Sequence, residues 1–294
     1  MTGKARAVCV IGWPIEHSRS PLIHNYWLSH YGIPGTYRNE AVPPDKFRDF
    51  VRSLSARGYA GANVTLPHKE AALQWSQPDE RARAVGAANT LWLDGALRST
   101  NTDVEGFSDN LDAAVPGWDR NLGRNLGRDL SKVVVLGAGG AARGVVYALL
   151  ERGIAHIVAA NRTASRAEAL RERFGARVHP VAWSERNAVL GDAALLVNTT
   201  TLGMAGQPEL SIDVGRLPGH AIVADLVYVP LETPLLRAAK ARGLRTADGL
   251  GMLMHQAVRG FLLWFGKKPE VTAELRALLE ADLDPSTGKA AGIT

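Results

Sequence analysis

Residues 133–144 constrain this chain more than any other stretch. They read VVVLGAGGAARG: four apolar residues run into a glycine-rich turn and then into helix-forming residues. An unbroken apolar run marks a strand buried on both faces, as in a parallel sheet. Gly137, Gly139 and Ala142 follow at the spacing G-x-G-x-x-A, the dinucleotide-binding fingerprint with Ala in the third place. Gly137 allows the tight turn, Gly139 lets backbone approach a pyrophosphate, and Ala142 keeps the helix close to the sheet. Free N–H groups at the helix start then face the phosphate charge. A bare strand–turn–helix uses the same glycines. Here Tyr147, Leu149 and Leu150 continue the helix and Gly153 ends it, so the whole nucleotide unit is in place.

The tip of the next strand indicates which nucleotide. An NAD site usually carries an Asp or Glu there, about 20 residues beyond the glycines, to hold the ribose hydroxyls. This chain has the apolar run 156–160 followed by Asn161-Arg162-Thr163, with no acid. Arg162, and Arg166 one helical turn on, carry guanidinium groups suited to clamping a 2′-phosphate. Arginine is also an ordinary surface residue at a helix start, but the missing acid favours NADP(H) over NAD.

A length of 294 residues accommodates two domains of ordinary size. A hydrophobic share of 46% with mean hydropathy of −0.07 fits a soluble globular protein. The single cysteine, Cys9, lies inside an apolar run and excludes a disulfide framework. Gly12 and Pro14 interrupt the first apolar stretch before it reaches signal-peptide length, and no run approaches a membrane span. The expectation is a cytoplasmic protein. A net charge of +5 would suit nucleic acid, yet bases and acids alternate along the helices. They read as a solvated surface, with neither nucleic acid nor membrane as partner.

The first hundred residues alternate strands and helices. Strands are expected at 7–11, 35–40 and 60–64, and helices at 21–31, at 44–56 and from about 68. A hairpin pairs 90–93 with 96–100 through Asp94-Gly95. Such alternation predicts a mainly parallel sheet. Between 116 and 131 the composition shifts to Gly, Asn, Arg and Asp, and Asn-Leu-Gly-Arg occurs at 121–124 and again at 125–128. This reads as a linker lengthened by local duplication. Alternation resumes to about Gly251, residues 252–265 read as a strongly apolar helix, and a loose tail follows Asp284.

A dinucleotide domain needs a partner that holds the second substrate. His17-Ser18-Arg19-Ser20-Pro21 sets two hydroxyls at i and i+2 before a helix with Pro in its first turn. Ser20 also reads as an N-cap, whereas Ser18 has no such reading. A hydroxyl pair beside a helix N-terminus suits a small carboxylate. In NVTLPHK (63–69), Asn63 and Thr65 share one face of a strand end. Lys69 falls in the first turn of a helix, where the dipole favours acids. That placement points to function, although an exposed lysine tolerates it. Asn89-Thr90 and Asn101-Thr102-Asp103 complete the polar set. Where Lys69 and Asp103 meet, they form an acid–base pair able to move a proton beside a transferred hydride.

Together with the glycine turn, these clusters resemble the shikimate dehydrogenase family. The matching stretches are GWPIEHSRSP (12–21), NVTLPHK (63–69), GAANT (86–90), NTDVEG (101–106), GAGGAAR (137–143), NRT (161–163), NTTTLGM (198–204) and ADGLGMLMHQA (247–257). They follow family order and spacing across nearly the whole chain, leaving out only the linker repeat and the tail. The resemblance implies reversible, NADP-dependent reduction of 3-dehydroshikimate to shikimate on the route to chorismate and the aromatic amino acids. It implies Lys69 as catalytic acid/base and Asp103 as its partner, both also bonding ring hydroxyls. Ser18 and Ser20 would hold the substrate carboxylate, with Thr65, Asn89, Tyr228 and Gln256 on the ring substituents. Gly137, Ala138, Gly139, Gly140 and Ala141 would cradle the pyrophosphate. Asn161, Arg162, Thr163 and Arg166 would grip the adenosine phosphate, and Leu226 and Gly249 would line the nicotinamide pocket. No metal is implied, and His17, His24 and His68 read as helix-end or hydrogen-bonding residues rather than ligands. Two features depart from the family pattern. Thr201-Leu202 stands where small polar residues are frequent, and Glu16 adds an acid that must point away from the carboxylate seat.

The expected fold is α/β. An N-terminal substrate domain with a mainly parallel sheet covers residues 1–105 and is completed by C-terminal helices within 252–294. A doubly wound, Rossmann-type NADP-binding domain covers 106–251, with a cleft between the two and the crossings acting as a hinge. The rival readings are a family member preferring quinate or NAD, and a nucleotide-binding regulator without catalysis. The serine pair favours shikimate, the arginines favour NADP, and intact Lys69 and Asp103 argue against a pure sensor. The assembly is expected to be a monomer or homodimer.

Overall fold

The computed structural model describes residues 5–119 and 132–284; the tandem Asn-Leu-Gly-Arg repeat and the tail past Asp284 lie outside the described residues. The chain divides into two compact units. One comprises residues through Asp103 together with those from Leu253 onward, the other Val104 to Met252.

In the first unit the strands are β1 (Arg6–Gly12), β2 (Gly35–Ala41), β3 (Tyr59–Val64), β4 (Gln77–Pro78), β5 (Thr90–Asp94) and β6 (Ala96–Thr100). Helices α1 (Ser20–His30), α2 (Phe47–Arg52), α3 (Lys69–Gln74) and α4 (Glu80–Val85) alternate with them. The sheet runs β2-β1-β3-β5-β6-β4. Its centre is parallel, β1 lying between β2 and β3, because each crossover carries a helix. The expected hairpin forms β5 and β6, turned by Gly95 at φ +67°, and it joins antiparallel to β3.

The helix expected over 44–56 is shorter. A 3-10 turn at Pro44–Lys46 leads into α2, which stops at Arg52. Ser53 ends it, its Oγ donating back to the carbonyls of Asp49 at 2.8 Å and Phe50 at 3.1 Å, a competition that serine offers a helix backbone. The apolar rhythm continues because Leu54 is buried from within the following turn.

The chain passes into the second unit within α5 (Asp103–Ala114), then runs through β7 (Lys132–Leu136), α6 (Gly140–Glu151), β8 (His156–Asn161), α7 (Ala164–Phe174), β9 (Val178–Ala182), β10 (Leu195–Asn198), β11 (Ile222–Asp225), α8 (Pro234–Ala241) and β12 (Arg245–Ala247). All six strands are parallel in the order β12-β11-β10-β7-β8-β9. This is the doubly wound topology, with the order reversing at β7 and β10. Residues 133–136 of β7 are fully buried, as the unbroken apolar run requires.

The return to the first unit falls within α9 (Gly249–Phe265), and α10 (Ala273–Leu283) follows. Trp264 of α9 reaches the sheet, where its Nε1 donates to Leu91 O at 2.8 Å. A Cβ at position 61 would lie 2.2 Å from that nitrogen, so only glycine admits the ring. α10 docks through Trp27 Nε1 donating to Glu270 O at 3.0 Å and Tyr26 Oη donating to Glu274 at 2.9 Å.

His24 belongs to this aromatic layer rather than to a helix end. Its ring is fully buried, stacked on Tyr37 with centroids 4.2 Å apart and edged by Trp27 and Trp264. Burial lowers its pKa to about 3, against a smaller opposing contact from Asn63. The unfolded chain therefore binds a proton here between pH 3 and 6.5 that the folded chain excludes, so stability from this group is full above the unfolded value and falls as pH drops below it. His24→Phe, which keeps a ring in the stack, is expected to remove about 2 kcal/mol of the stability lost between pH 7 and pH 5. Urea unfolding of both proteins at the two pH values checks this, and equal losses would refute it.

Candidate active site

Parallel strands leave the sheet on one edge, and the polar clusters of the first unit follow them there. The loops after β1 and β3 run side by side, Thr65 N donating to Ile11 O at 2.9 Å and Trp13 N to Leu66 O at 3.1 Å. Because β5 is antiparallel, its first residue, Thr90, pairs with Asn63 and with Thr100 at the end of β6. This topology gathers Thr65, Lys69, Asn89 and Asp103.

Lys69, the first residue of α3, donates from Nζ to Asp103 Oδ2 at 2.6 Å. Asp103 is 4% exposed and Lys69 18%. The carboxylate also accepts from Asn89 Nδ2 at 2.9 Å, and Asn89 reaches Gln256 Oε1 at 3.4 Å. Asn101 Oδ1 accepts from Asp103 N–H at 3.1 Å and fixes the start of α5. An ammonium has three hydrogens and this one uses a single donor on Asp103, so it keeps donors for a developing oxyanion.

The serine loop differs from expectation in its capping. Arg19, not Ser20, occupies the N-cap position, and Ser20 opens α1. The capping contact comes instead from Ser18, whose Oγ accepts from Ser20 N at 3.4 Å. Both hydroxyls are half-buried. Glu16 is exposed and folded onto its own loop, Oε2 accepting from Ile15 N at 3.0 Å, and these backbone bonds lower its pKa. His68 lies against Phe47 with Nε2 2.7 Å from Val42 O.

In the second unit, Gly137 takes φ +105° at the end of β7, and a Cβ there would meet Thr199 Oγ1 at 2.6 Å. Gly139 caps α6, and a Cβ at Gly139 or Gly140 would enter open space. A first helical turn leaves N–H groups without intrahelical partners, so this open, cation-like end fits a pyrophosphate. Ala141 is half-buried and Ala138 is buried. At the tip of β8, Asn161 Nδ2 donates to Thr163 O at 2.8 Å, and Arg162, Thr163 and Arg166 are exposed. Those cations, with no carboxylate on the strand tip, fit a 2′-phosphate. Leu226 follows β11, and Gly249 packs so closely on it that a Cβ would sit 2.3 Å from Leu226 O. Tyr228 lies on the same loop, half-buried.

Two residues that the sequence did not single out hold that loop. Asp225 accepts from Asn198 Nδ2 at 2.9 Å, Val227 N at 3.1 Å and Thr233 Oγ1 at 2.7 Å. Burial raises its pKa, against the three donors. The signal was a polar residue closing each apolar strand, LLVN and IVAD. Thr201 is exposed, whereas Leu202 packs on the core beside this pair. In the first unit Tyr37 was likewise missed; its hydroxyl donates to Asn63 Oδ1 at 2.6 Å. Among the described residues no group of three or more His, Cys, Asp or Glu could hold a metal ion, and no helix is long and apolar enough to cross a membrane.

A doubly wound sheet with an open helix start, joined in one chain to an ammonium–carboxylate pair, defines a dinucleotide-dependent oxidoreductase. Comparison with known proteins narrows the class. Residues 10–91 match the shikimate dehydrogenase substrate binding domain, 122–203 the shikimate/quinate 5-dehydrogenase domain and 249–279 the shikimate 5'-dehydrogenase C-terminal domain. A shikimate dehydrogenase (NADP(+)) from Rhodopseudomonas palustris is 65% identical over 286 residues, 97% of this chain and 100% of that one. Among solved structures, shikimate 5-dehydrogenase from Thermus thermophilus in complex with NADP(H) and shikimate has a TM-score of 0.80 at 34% identity, covering 94% of this chain and 99% of that one. Quinate dehydrogenase from Corynebacterium glutamicum in complex with NAD has a TM-score of 0.84 at 31% identity, covering 95% and 100%. The chain belongs to the shikimate dehydrogenase family.

Gly137→Ala is expected to cost about 2 kcal/mol of stability, since both φ and the Thr199 contact oppose a side chain, and to weaken NADP⁺ binding by roughly tenfold or more. Denaturant unfolding and fluorescence titration check the two effects. Unaltered affinity would separate this turn from the cofactor.

Proposed function

We propose that Lys69 and Asp103 carry the proton transfer in a reversible, NADP-dependent reduction of 3-dehydroshikimate to shikimate, on the route to chorismate. The observation that carries this reading is the 2.6 Å contact between them, with the Asn89 amide donating to the same carboxylate at 2.9 Å. Bound NADPH supplies the hydride. As the carbonyl carbon is reduced, negative charge develops on its oxygen, and the Lys69 ammonium stabilises that charge and gives up the proton. Asp103 holds the ammonium in place and accepts a ring hydroxyl. In the reverse direction neutral Lys69 takes the hydroxyl proton.

The other roles follow from chemistry and from the relatives' names together. Ser18 and Ser20 donate to the substrate carboxylate, while Thr65, Asn89, Tyr228 and Gln256 satisfy ring hydroxyls that would otherwise be buried without partners. Gly137, Ala138, Gly139, Gly140 and Ala141 receive the pyrophosphate. Asn161, Arg162, Thr163 and Arg166 bind the adenosine phosphate, and Leu226 and Gly249 face the nicotinamide. We place the reaction in the cytoplasm and the enzyme as a monomer or homodimer.

Absorbance of reduced nicotinamide tests the specificity, with shikimate or quinate and NADP⁺ or NAD⁺ in all four combinations. Strong reduction of NADP⁺ by shikimate is the expected result. Preference for quinate or NAD⁺ would move the protein to the broader branch of the family, and silence in all four would overturn catalysis. Lys69→Ala is expected to lower kcat by on the order of a thousandfold or more while leaving NADP⁺ affinity within about twofold. Turnover equal to the parent's would remove Lys69 from the chemistry.

A further inference from the structure

Behind the Lys69–Asp103 pair lies a buried network whose polarity follows from two backbone groups. Thr102 N–H can only donate, and it reaches Asn89 Oδ1 at 2.8 Å. The amide of Asn89 must then turn its nitrogen to Asp103 Oδ1, 2.9 Å away. The carbonyl of Asn89 can only accept, and it takes Asn63 Nδ2 at 3.1 Å. Asn63 therefore turns its oxygen to the Tyr37 hydroxyl at 2.6 Å, and its second amide hydrogen falls on Thr90 Oγ1 at 3.0 Å. Thr90 is an acceptor on that side, so its one proton is left for Asn89 Oδ1 at 3.2 Å or for Thr102 Oγ1 at 3.3 Å, and Thr102 Oγ1 in turn donates to Asn89 Oδ1 at 3.2 Å. Every donor in the series points one way, from Tyr37 through Asn63, Thr90 and Asn89 to the carboxylate.

Thr90 is the joint of this series. Its side chain is fully buried, and its hydroxyl bonds to Asn63, Asn89 and Thr102 rather than to Lys69 or Asp103. A hydroxyl both donates and accepts, so it can take a hydrogen from Asn63 while giving one toward Asn89. A valine of the same shape can do neither. We propose that Thr90 is a positioning residue for the reaction, reinforcing the Asn89 amide orientation that Thr102 N–H sets and Asp103 receives, and so steadying the aim of the Lys69 ammonium. Reversing that amide would set its oxygen against the carboxylate and replace a donor with a repulsion. Removing the hydroxyl also leaves an Asn63 N–H without its acceptor, which biases Asn63 and the chain behind it toward other arrangements. This inference rests on the proposed roles of Lys69 and Asp103.

The experiment compares the full-length protein with Thr90→Val, Thr90→Ser and Thr90→Ala, using shikimate and NADP⁺. Thermal unfolding confirms that each variant is folded. The valine variant is expected to lose kcat by about tenfold or more with the KM for NADP⁺ within about twofold, and serine is expected to recover most of the loss. Serine and alanine leave the same methyl-sized gap and differ only in the hydroxyl, so serine exceeding alanine severalfold in kcat supports the proposal even where valine does not fold. Equal kcat for serine and alanine, or a valine variant with the parent's kcat, overturns it. Lys69→Ala measured alongside separates the two claims. Loss in Lys69→Ala with no difference among the Thr90 variants sinks only the positioning role. An active Lys69→Ala protein sinks the acid–base reading beneath it.

Discussion

Strands that run parallel must all end on one edge of their sheet, and both units of this protein are organised by that constraint. In the first, the edge collects the ends of β1, β3 and β6, and the antiparallel β5 contributes its beginning. Groups as far apart in sequence as Ser18 and Asp103 are thus carried on the same rim. In the second, the glycine turn after β7, the arginines after β8 and the Asn198–Asp225 pair after β10 and β11 share an edge for the same reason. The irregular segments hold the polar chemistry, and the buried strands hold those segments still.

The charge placements tell a consistent story. A helix start is electropositive, so a base there works against the dipole. Lys69 opens α3 and Arg166 lies in the first turn of α7, where no acid is present. Each violation is offset by negative charge of a different origin. Asp103 answers Lys69 within the protein, while the proposed adenosine phosphate answers the arginines from outside. Asp103 itself sits at the start of α5, where a carboxylate is favoured without any help.

What the sequence could reveal depended on how local each cause was. The turn at 137–142 was legible because every glycine in it answers a need of its immediate neighbours. The β5–β6 hairpin was legible from Asp94-Gly95 alone. The end of α2 was not, since Leu54 continues the apolar rhythm while Ser53 diverts the backbone, and periodicity cannot distinguish the two. Tyr37 reads as ordinary strand packing between Thr36 and Arg38; its hydroxyl gains meaning only when β1 brings β2 and β3 to either side. Ser20 read as the N-cap that Arg19 occupies because a one-residue shift in a helix start lies below what pattern can resolve. Asn198 and Asp225 were overlooked because a polar strand end is common, and only their mutual contact makes these two unusual.

The second unit is contiguous in sequence, whereas the first is interrupted by it, and this difference has a consequence for how the protein is made. During synthesis, residues through Asp103 emerge first but lack the Trp264 ring that lies against Gly61 and the Glu270 carbonyl that receives Trp27. Domains fold as their chain becomes available, so the later-starting unit can finish first. The earlier one must wait, with part of its aromatic layer uncovered, until Trp264 and Glu270 have left the ribosome. A shortened product ending before α9 would keep its nucleotide-binding strands and lack the helices that seal the substrate-binding half.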